Sequence, residues 1–335
     1  MAKPILGILL GDPAGVGPEI VAKLAVSDFY TAYCRPVFIG DKRILDRAFA
    51  VVGKSVPLHV ISSPKEAVFQ ENQLDLIDLG DANPSDCPSG KVSIEGGKAC
   101  LDELTIASDL CKKGLLQGFC FVPLNKAGMK EAGLQFESEH HYLANVFGVT
   151  GPFGEINVLG NLWTTRTTSH IPLKDVSANL SVDTILRAIT LCNNTLKNSG
   201  IVKPRIAVAA LNPHCGENGL CGTEEIDIIK PAIEKAKAEG MDVSGPFPSD
   251  ILFIKAFKGD YDGVVTMYHD QGQIALKLKG FDQGITIAGG QPYPIVTCAH
   301  GTAYDIAGKN IVSTSSFENA VKMASKMAVH MEGRK

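Results

Sequence analysis

The fold class follows from residues 4–19, PILGILLGDPAGVGPE. The apolar run at 4–10 predicts a buried strand. A turn rich in glycine then leads to a helix that can begin at Pro18, because proline suits the first helical position. Glycines beside a helix N-terminus let an anionic ligand approach the backbone, although the spacing is not the G-x-G-x-x-G of a Rossmann turn. The residues leave two interpretations open, a tight strand-to-helix turn and a ligand-binding turn.

The alternation of strand and helix continues along the chain. Apolar runs predict strands at 4–10, 35–39, 74–79, 118–122, 156–160, 205–211 and 262–267. Helical patterns fall at 18–26, 42–52, 96–113, 181–198, 223–239 and 316–332. This alternation indicates an α/β protein with a largely parallel sheet and helices on both faces. Because 335 residues exceed what one hydrophobic core usually supports, we expect two domains.

Composition excludes several classes of protein. Hydrophobic residues make up 45% of the chain and charged residues 20%, which is the balance of a globular protein rather than of a disordered one. The net charge of -4 gives no basic surface for nucleic acid. No apolar run reaches the roughly 20 residues that cross a bilayer, so we expect no membrane partner. Nine cysteines without Cys-x-x-Cys spacing indicate reduced thiols in a cytoplasmic protein.

Three histidines stand where an apolar run gives way to a polar turn. They are His170 after Trp163–Thr168, His214 in LNPHCGEN (211–218) and His269 after Gly263–Met267. Ligands bind at the carboxyl ends of strands in open α/β sheets. Three imidazoles can hold a divalent metal and leave a coordination position open for substrate. A structural, hydrogen-bonded role explains each histidine equally well at this point.

Two lysines and a histidine pair also stand near predicted strand ends. Lys126 follows the strand at 118–122, and Lys277 lies shortly after His269. Either lysine can bind an anion or act as a base when its pKa is lowered, although an exposed lysine is usually only solvated. His140 and His141 are adjacent, so we expect at most one of them to face a shared site.

Together these runs resemble the 4-hydroxythreonine-4-phosphate dehydrogenase family of pyridoxal phosphate biosynthesis. The matching pieces, in family order, are GDPAGVGPE (11–19), TTSHIPL (167–173), LNPHCGENG (211–219), GTEEID (222–227), GPFPSD (245–250), MYHDQG (267–272), LKLKGF (276–281) and HGTAYDIAG (300–308). The first turn is also similar to the GDGIGPE turn of isocitrate and isopropylmalate dehydrogenases. The resemblance implies their two-domain α/β/α sandwich, in which both chain ends contribute to one domain. We expect domain one at 1–128 plus 296–335, domain two at 129–295, and an active site in the cleft between them.

The resemblance also implies a chemistry and a set of residues. A divalent metal, zinc first and cobalt, magnesium or nickel as alternatives, would be held by His170, His214 and His269, with His269 coming from the other subunit of a homodimer. NAD or NADP would accept hydride as a secondary alcohol is oxidised to a ketone, and the resulting β-keto acid would then lose carbon dioxide. The implied catalytic residues are Lys126 and Lys277. The implied substrate contacts are His140, His141, Asp250, Lys277 and Thr286.

Substrate recognition is where the chain departs from the family pattern. His141 replaces a Thr, Thr286 stands where the family commonly has Asn, and Ile295 replaces a phosphate-contacting Arg. Losing such a charge-assisted contact removes roughly 1.5–3 kcal/mol. The leading function is conversion of 4-hydroxy-L-threonine 4-phosphate to 3-amino-2-oxopropyl phosphate. The alternatives are the same chemistry on threonate or erythronate 4-phosphate, or on a non-phosphorylated dihydrodiol carboxylate, and, from another class, an inactive ligand-binding homologue.

Overall fold

The computed structural model describes residues 3–280 and 282–333. These residues form two compact units. The first unit contains the described residues up to Val149 and from Gln291 onward, and the second contains Thr150–Gly290. The units divide at 149/150 and 290/291, whereas the sequence predicted boundaries at 128/129 and 295/296.

The strands are β1 (Ile5–Leu9), β2 (Arg35–Gly40), β3 (Leu58–Ile61), β4 (Leu74–Asp78), β5 (Gly118–Phe121), β6 (Gly154–Leu159), β7 (Leu162–Arg166), β8 (Arg205–Ala209), β9 (Asp242–Phe247), β10 (Gly263–Thr266), β11 (Ile285–Gly289) and β12 (Ile295–Cys298). The helices are α1 (Gly17–Val26), α2 (Phe29–Tyr33), α3 (Lys42–Val52), α4 (Ile94–Lys112), α5 (Lys126–Glu131), α6 (Glu139–Phe147), α7 (Val182–Asn198), α8 (Lys230–Ala238), α9 (Ser249–Ala256), α10 (His269–Gly280) and α11 (Ser315–Glu332).

The sheet of the first unit is parallel throughout, in the order β3-β4-β2-β1-β5-β12. Its central strands are buried on both faces, and Leu6, Ile8 and Leu9 of β1 are all fully inaccessible to solvent. Burial on both faces is why these strands are continuous apolar runs in the sequence. Helices α5 and α6 pack against α4 of this unit, which places residues 126–147 with the chain ends.

The sheet of the second unit is mixed, in the order β11-β6-β7-β10-β8-β9. Strands β11, β6 and β7 pair antiparallel, and β7, β10, β8 and β9 pair parallel. The reversal between β6 and β7 is a two-residue turn at Gly160 and Asn161, where Gly160 has a φ of +58°. Glycine adopts this backbone conformation without a steric penalty. The sequence-based expectation of a largely parallel sheet therefore holds for the first unit and for part of the second.

Local signals explain where the predicted helices begin and end. Asp41 accepts a hydrogen bond from the backbone of Arg43 at the start of α3, and Gly53, with a φ of +76°, ends that helix. The helical pattern at 223–239 is divided in the structure, because one π-helical turn over Glu225–Ile229 precedes α8, and Pro231 lies in the first turn of α8, where a proline is tolerated. Among residues 3–280 and 282–333, the helices are too short or too polar to cross a bilayer.

The seven predicted strands and six predicted helices are all present, with ends that differ by a few residues. The sequence patterns did not predict β3, β7, β9, β11 and β12, which are short or carry polar residues and glycine. They also did not predict α2, α5, α6, α9 and α10. Strands of this length give little periodic signal, so tertiary pairing decides them.

Candidate metal centre

The three histidines predicted as metal ligands follow three neighbouring parallel strands of the second unit. His170 comes after β7, His269 is the first residue of α10 after β10, and His214 comes after β8. Strand β10 lies between the other two, with Thr266 opposite Arg166 of β7 and Val265 opposite Val208 of β8. Parallel strands end at the same edge of a sheet, so this topology brings the three histidine-bearing segments to one edge.

Two of these histidines lie side by side. The ring centroids of His170 and His269 are 5.6 Å apart, with the ring planes inclined by 42°. This separation suits two imidazoles that share one small cation at nitrogen distances of about 2.0–2.1 Å. Within the described part of the chain, no group of three or more His, Cys, Asp or Glu side chains is close enough to hold a metal. The structure therefore pairs His170 with His269 but does not gather all three rings.

Two of the histidines are oriented by carboxylates. Nδ1 of His214 lies 2.7 Å from Oε1 of Glu217, and Nδ1 of His269 lies 2.7 Å from Oδ1 of Asp270. A carboxylate at one ring nitrogen fixes the tautomer and leaves the other nitrogen, here Nε2, available to a cation. The side chain of His214 is 71% exposed and that of His269 35% exposed, so both rings are accessible.

The His214 segment, residues 210–218 after β8, has an unusual backbone. His214, Cys215, Gly216, Glu217 and Asn218 all have positive φ values, between +44° and +78°. For residues other than glycine this left-handed conformation costs roughly 1–2 kcal/mol each, so surrounding contacts must hold it. The pattern Asn-Pro-His-Cys-Gly predicts a turn but does not predict five consecutive left-handed residues.

Glu225 is one of the residues that hold this segment. Its carboxylate is fully buried and accepts hydrogen bonds from the backbone of Leu211 at 2.9 Å and of Asn212 at 2.7 Å. It also accepts a bond from the Asn212 side chain at 3.0 Å. A Cβ added to Gly216 would lie 2.8 Å from a carboxylate oxygen of Glu225, so only glycine fits there without a shift.

Side-chain hydrogen bonds connect the His170 segment, residues 167–177 after β7, to the segments that carry His269 and His214 after β10 and β8. The Thr168 hydroxyl donates to the carbonyl of Met267, two residues before His269, at 2.7 Å. Glu224 accepts from the Ser177 hydroxyl at 2.6 Å and from the Asn212 side chain at 2.7 Å. Thr168 thus joins the His170 segment to the His269 segment, and Glu224 joins the His170 segment to the His214 segment.

A buried polar cluster lies beside the His170 segment. The guanidinium of Arg166 forms an ion pair with Glu155 and donates to Asn157 at 2.8 Å and to Ser169 at 3.0 Å. Gln273, one turn after His269, donates to the same Asn157 oxygen at 2.6 Å. Sequence analysis missed this cluster, as it missed Thr168, Glu224 and Glu225, although the last three lie within the motifs TTSHIPL and GTEEID.

The other residues predicted to bind substrate or act in catalysis differ in their exposure to solvent. Lys126 is an exposed residue that begins α5, Lys277 is exposed on α10, and Asp250 is exposed in the first turn of α9. His140 is buried in α6, and Nδ1 of His141 lies 2.9 Å from the Ser138 hydroxyl.

Two of the three positions that depart from the family pattern, Thr286 and Ile295, are inside the protein. Thr286 of β11 is buried, and its hydroxyl accepts a hydrogen bond from the Asn157 side chain at 3.0 Å. Ile295, the first residue of β12, is completely inaccessible and pairs with Phe119 in the sheet of the first unit. The isoleucine side chain is therefore part of the apolar core in this protein.

The first turn of the chain is tightly packed. Asp12 is buried, accepts a bond from the backbone of Ala14 at 2.8 Å and accepts another from the Tyr304 hydroxyl. Burial raises the pKa of Asp12, and the bond from Tyr304 opposes that shift. A Cβ at Gly17 would lie 2.4 Å from a methyl group of Val122, so packing alone requires this glycine. These contacts support the interpretation of a tight strand-to-helix turn.

Comparison with known proteins identifies the family. The model of the family described as pyridoxal phosphate biosynthetic protein PdxA matches residues 32–324. The chain belongs to the PdxA family. A relative from Rhizobium meliloti (strain 1021), provisionally named 4-hydroxythreonine-4-phosphate dehydrogenase 2, is 43% identical over 327 residues, covering 97% of this chain and 94% of the relative. The resemblance inferred from the motifs is thereby confirmed.

Two further members of the PdxA family differ in the substrate that they are named for. The D-threonate 4-phosphate dehydrogenase of Cupriavidus necator is 39% identical over 326 residues, covering 97% of each chain. The crystal structure of a 4-hydroxythreonine-4-phosphate dehydrogenase from Burkholderia phymatum superposes with a TM-score of 0.82 at 36% identity, covering 98% of this chain and 99% of that one. These relatives carry the names of dehydrogenases, which is the reaction class that the sequence predicted.

Proposed function

We propose that this protein is an NAD(P)-dependent, metal-assisted oxidative decarboxylase. Its leading substrate is 4-hydroxy-L-threonine 4-phosphate, which it would convert to 3-amino-2-oxopropyl phosphate. Membership of the PdxA family supports the reaction class. The observation that carries the proposal is the placement of His170, His214 and His269 after three adjacent parallel strands.

The proposed fold type is that of isocitrate and isopropylmalate dehydrogenases. Two features support it. Both chain ends belong to one compact unit, and the second unit is formed by a single internal stretch of chain. In addition, the turn GDPAGVGPE joins β1 to α1, with Pro18 in the first turn of the helix.

The proposed metal ligands are the imidazoles of His170, His214 and His269, with zinc as the leading metal. The donor chemistry fits, since neutral imidazole suits first-row divalent metals. Glu217 and Asp270 would hold the rings of His214 and His269 through Nδ1 and keep Nε2 unprotonated. A bound divalent cation supplies Lewis-acid chemistry, and the nicotinamide supplies a hydride acceptor.

The other proposed roles belong to the residues that the family resemblance indicates. Lys126 and Lys277 are exposed and keep a flexible ammonium group available to move a proton or to contact a substrate anion. Asp250 is exposed as well. His140, His141 and Thr286 are the remaining proposed substrate contacts. For the buried Thr286 hydroxyl, the hydrogen bond from Asn157 would set its orientation.

We propose a homodimer built on an apolar surface of the second unit. This surface, the α9–α10 surface, contains Ile251 (51% exposed), Ile254 (58%), Ile274 (58%) and Leu278 (85%). Apolar side chains this exposed on two helices are typical of a protein interface. Helix α10 begins at His269, so a partner bound to this surface would lie close to the metal centre.

The resemblance implies that His269 serves the site of the partner subunit. The distance of 5.6 Å between the His170 and His269 rings in one chain supports a same-chain arrangement instead. Exchange of subunits between single-site variants separates the two arrangements.

The second candidate function is the same chemistry on threonate 4-phosphate. The names of relatives such as the D-threonate 4-phosphate dehydrogenase of Cupriavidus necator support it. Ile295 does not separate the two candidates, because both substrates carry the phosphate that the family Arg would contact and the buried isoleucine supplies no charge for either.

A substrate panel tests both candidates. Protein purified without chelator is offered 4-hydroxy-L-threonine 4-phosphate, D-threonate 4-phosphate, D-erythronate 4-phosphate and a dihydrodiol carboxylate, each with NAD and with NADP, and absorbance of the reduced nicotinamide is followed. Turnover of the first compound at the highest kcat/KM supports the leading proposal, and turnover of threonate 4-phosphate alone supports the second. Metal analysis should find about one zinc-like ion per subunit. Full activity after exhaustive EDTA treatment, with no metal bound, would overturn the metal mechanism.

A further inference from the structure

Gln271 joins the His269 segment to the His214 segment. It lies in the first turn of α10, two residues after His269. Its Oε1 accepts a hydrogen bond from the backbone of Met267 at 2.7 Å. Its Nε2 donates to the carbonyl of Ala210 at 2.6 Å and to the Ser249 hydroxyl at 2.8 Å. Ala210 is the residue after β8, four positions before His214, so one side chain spans both segments.

The amide group suits this position because it is both a donor and an acceptor. A backbone N–H on one segment and a backbone carbonyl on the other require opposite hydrogen-bonding partners, and Gln271 supplies both at a fixed spacing. Ala210 and Met267 are 1% and 0% exposed, so water does not replace these bonds if the side chain is removed. Without Gln271 the Met267 N–H would lose its acceptor, and the Ala210 carbonyl would keep only the bond from the Ser249 hydroxyl at 3.2 Å. Loss of hydrogen bonds to buried backbone groups destabilises the local conformation.

With Gln271, all three pairs of histidine-bearing segments are linked by side chains. Thr168 joins the His170 and His269 segments, and Glu224 joins the His170 and His214 segments. Gln271 joins the remaining pair, His214 and His269. Each pair of histidine-bearing segments is therefore connected through at least one side-chain hydrogen bond.

We propose that Gln271 is a positioning residue that fixes the His214 segment relative to His269 and thereby sets the metal affinity of the centre. This inference rests on the proposed function for its metal readout. It holds whether His269 serves its own chain or a partner, because a displaced His214 segment changes the ligand geometry in both arrangements. Residues that orient metal ligands typically change affinity by about 10–100-fold when they are replaced.

The test compares three full-length proteins: wild type, Gln271→Met and Gln117→Met. Methionine keeps the length of glutamine and removes its donor and acceptor. Gln117 is the matched control, because its Oε1 accepts a hydrogen bond from the backbone of Ile5 at 2.6 Å in the first unit. Each protein is stripped of metal and titrated with Zn²⁺ and with Co²⁺, and the visible spectrum of the cobalt form is recorded. Hydrogen–deuterium exchange of residues 210–220 is measured in the metal-free proteins.

The expected result is specific to Gln271→Met. Zn²⁺ binding should weaken by about 10–100-fold, the cobalt spectrum should change, and exchange at residues 210–220 should accelerate, while Gln117→Met behaves as wild type. Wild-type affinity, spectrum and exchange in folded Gln271→Met would overturn the inference.

The test still gives an answer if wild type binds no metal or if Gln271→Met does not fold. If wild type binds neither metal, the metal proposal fails, and the exchange measurement still decides whether Gln271 positions the His214 segment. If Gln271→Met does not fold, Gln271→Glu replaces it, because this variant keeps an acceptor for the Met267 N–H and removes the Nε2 donor to Ala210. Faster exchange at 210–220 in Gln271→Glu supports the inference, and unchanged exchange there contradicts it.

Discussion

Nδ1 of His214 lies 2.7 Å from Oε1 of Glu217, three residues further along a backbone in which both residues are left-handed. Side chains three residues apart also meet in a right-handed helix. Here the backbone between them is left-handed, and the pair lies in an exposed loop after β8. The carboxylate can hold the proton on Nδ1 and leave Nε2 free. The backbone conformation and the proposed ligand role are therefore linked through one contact.

Replacing Glu217 should weaken metal binding without removing it. We expect Glu217→Gln to lower Zn²⁺ affinity by about 10–100-fold, because the ring of His214 loses its charged partner. His214→Ala should abolish turnover and leave the far-ultraviolet circular dichroism unchanged. Isothermal titration and nicotinamide absorbance measure the two effects.

The matched control is His59→Ala. His59 forms the same kind of pair, with Nδ1 2.7 Å from Oδ1 of Asp75, but it lies in the first unit on β3. That variant should bind metal and turn over substrate as wild type does. Activity of His214→Ala at the wild-type level would exclude this histidine as a ligand.

Mixed dimers should reveal which subunit His269 serves. If it serves the partner, a dimer of His170→Ala with His269→Ala keeps one intact site, and random exchange restores roughly a quarter of wild-type activity. If all three ligands come from one chain, neither site is intact and the mixture stays inactive. The mixture of His170→Ala with His214→Ala is the control, because it should be inactive in both arrangements.

Gly216→Ala should destabilise the protein more than a glycine substitution that meets no neighbour. Gly216 has a φ of +78°, and a Cβ there would lie 2.7 Å from the carbonyl of Gly222. Gly240 has a φ of +81° with nothing within 4 Å, so Gly240→Ala carries only the left-handed penalty of roughly 1–2 kcal/mol. Thermal unfolding should give a lower midpoint for Gly216→Ala than for Gly240→Ala. Equal midpoints would contradict the packing that surrounds Gly216.

Leu278→Asp should dissociate the proposed dimer. Leu278 is 85% exposed on α10, and a carboxylate at the centre of an apolar interface leaves an unpaired charge. Light scattering coupled to gel filtration should give the mass of a monomer. Val202→Asp is the control, because Val202 is 72% exposed and precedes β8, at the opposite end of that strand from His214. A dimeric mass for Leu278→Asp would exclude the α9–α10 surface as the interface.

Asp81 should make stability depend on pH. Burial, and beyond it the nearby carboxylates of Asp102 and Asp41, raise the pKa of Asp81 from 3.8 to about 6. The folded state thus binds this proton more tightly than the unfolded state, so stability is lost as pH rises from about 4 to about 6. We expect Asp81→Asn to raise the thermal midpoint at pH 8 and to have little effect at pH 4.

The control for Asp81 is Asp86→Asn, an exposed residue of the same loop. It should shift the midpoint equally little at both values of pH. A gain for Asp81→Asn that is the same at pH 4 and pH 8 would show that the raised pKa does not govern stability.

The α/β class can be predicted from local patterns in the chain, because buried parallel strands are apolar runs and the helices between them carry caps such as Asp41 and Gly53. The same patterns predict that His170, His214 and His269 follow strands, because each lies at the change from an apolar run to a polar turn. These features are local, and a local pattern is enough to predict them.

The contacts that these histidines make depend on segments that are distant in the sequence. The pairing of His170 with His269 depends on β7 and β10 being neighbours, although nearly 100 residues of chain separate them. Similarly, Glu225 binds the backbone of Leu211 and Asn212, immediately before the left-handed turn at His214, and Ile295 lies in the core because β12 pairs with β5. Such contacts arise from the packing of distant segments, and their energies come from burial and hydrogen bonds that no short stretch of sequence contains.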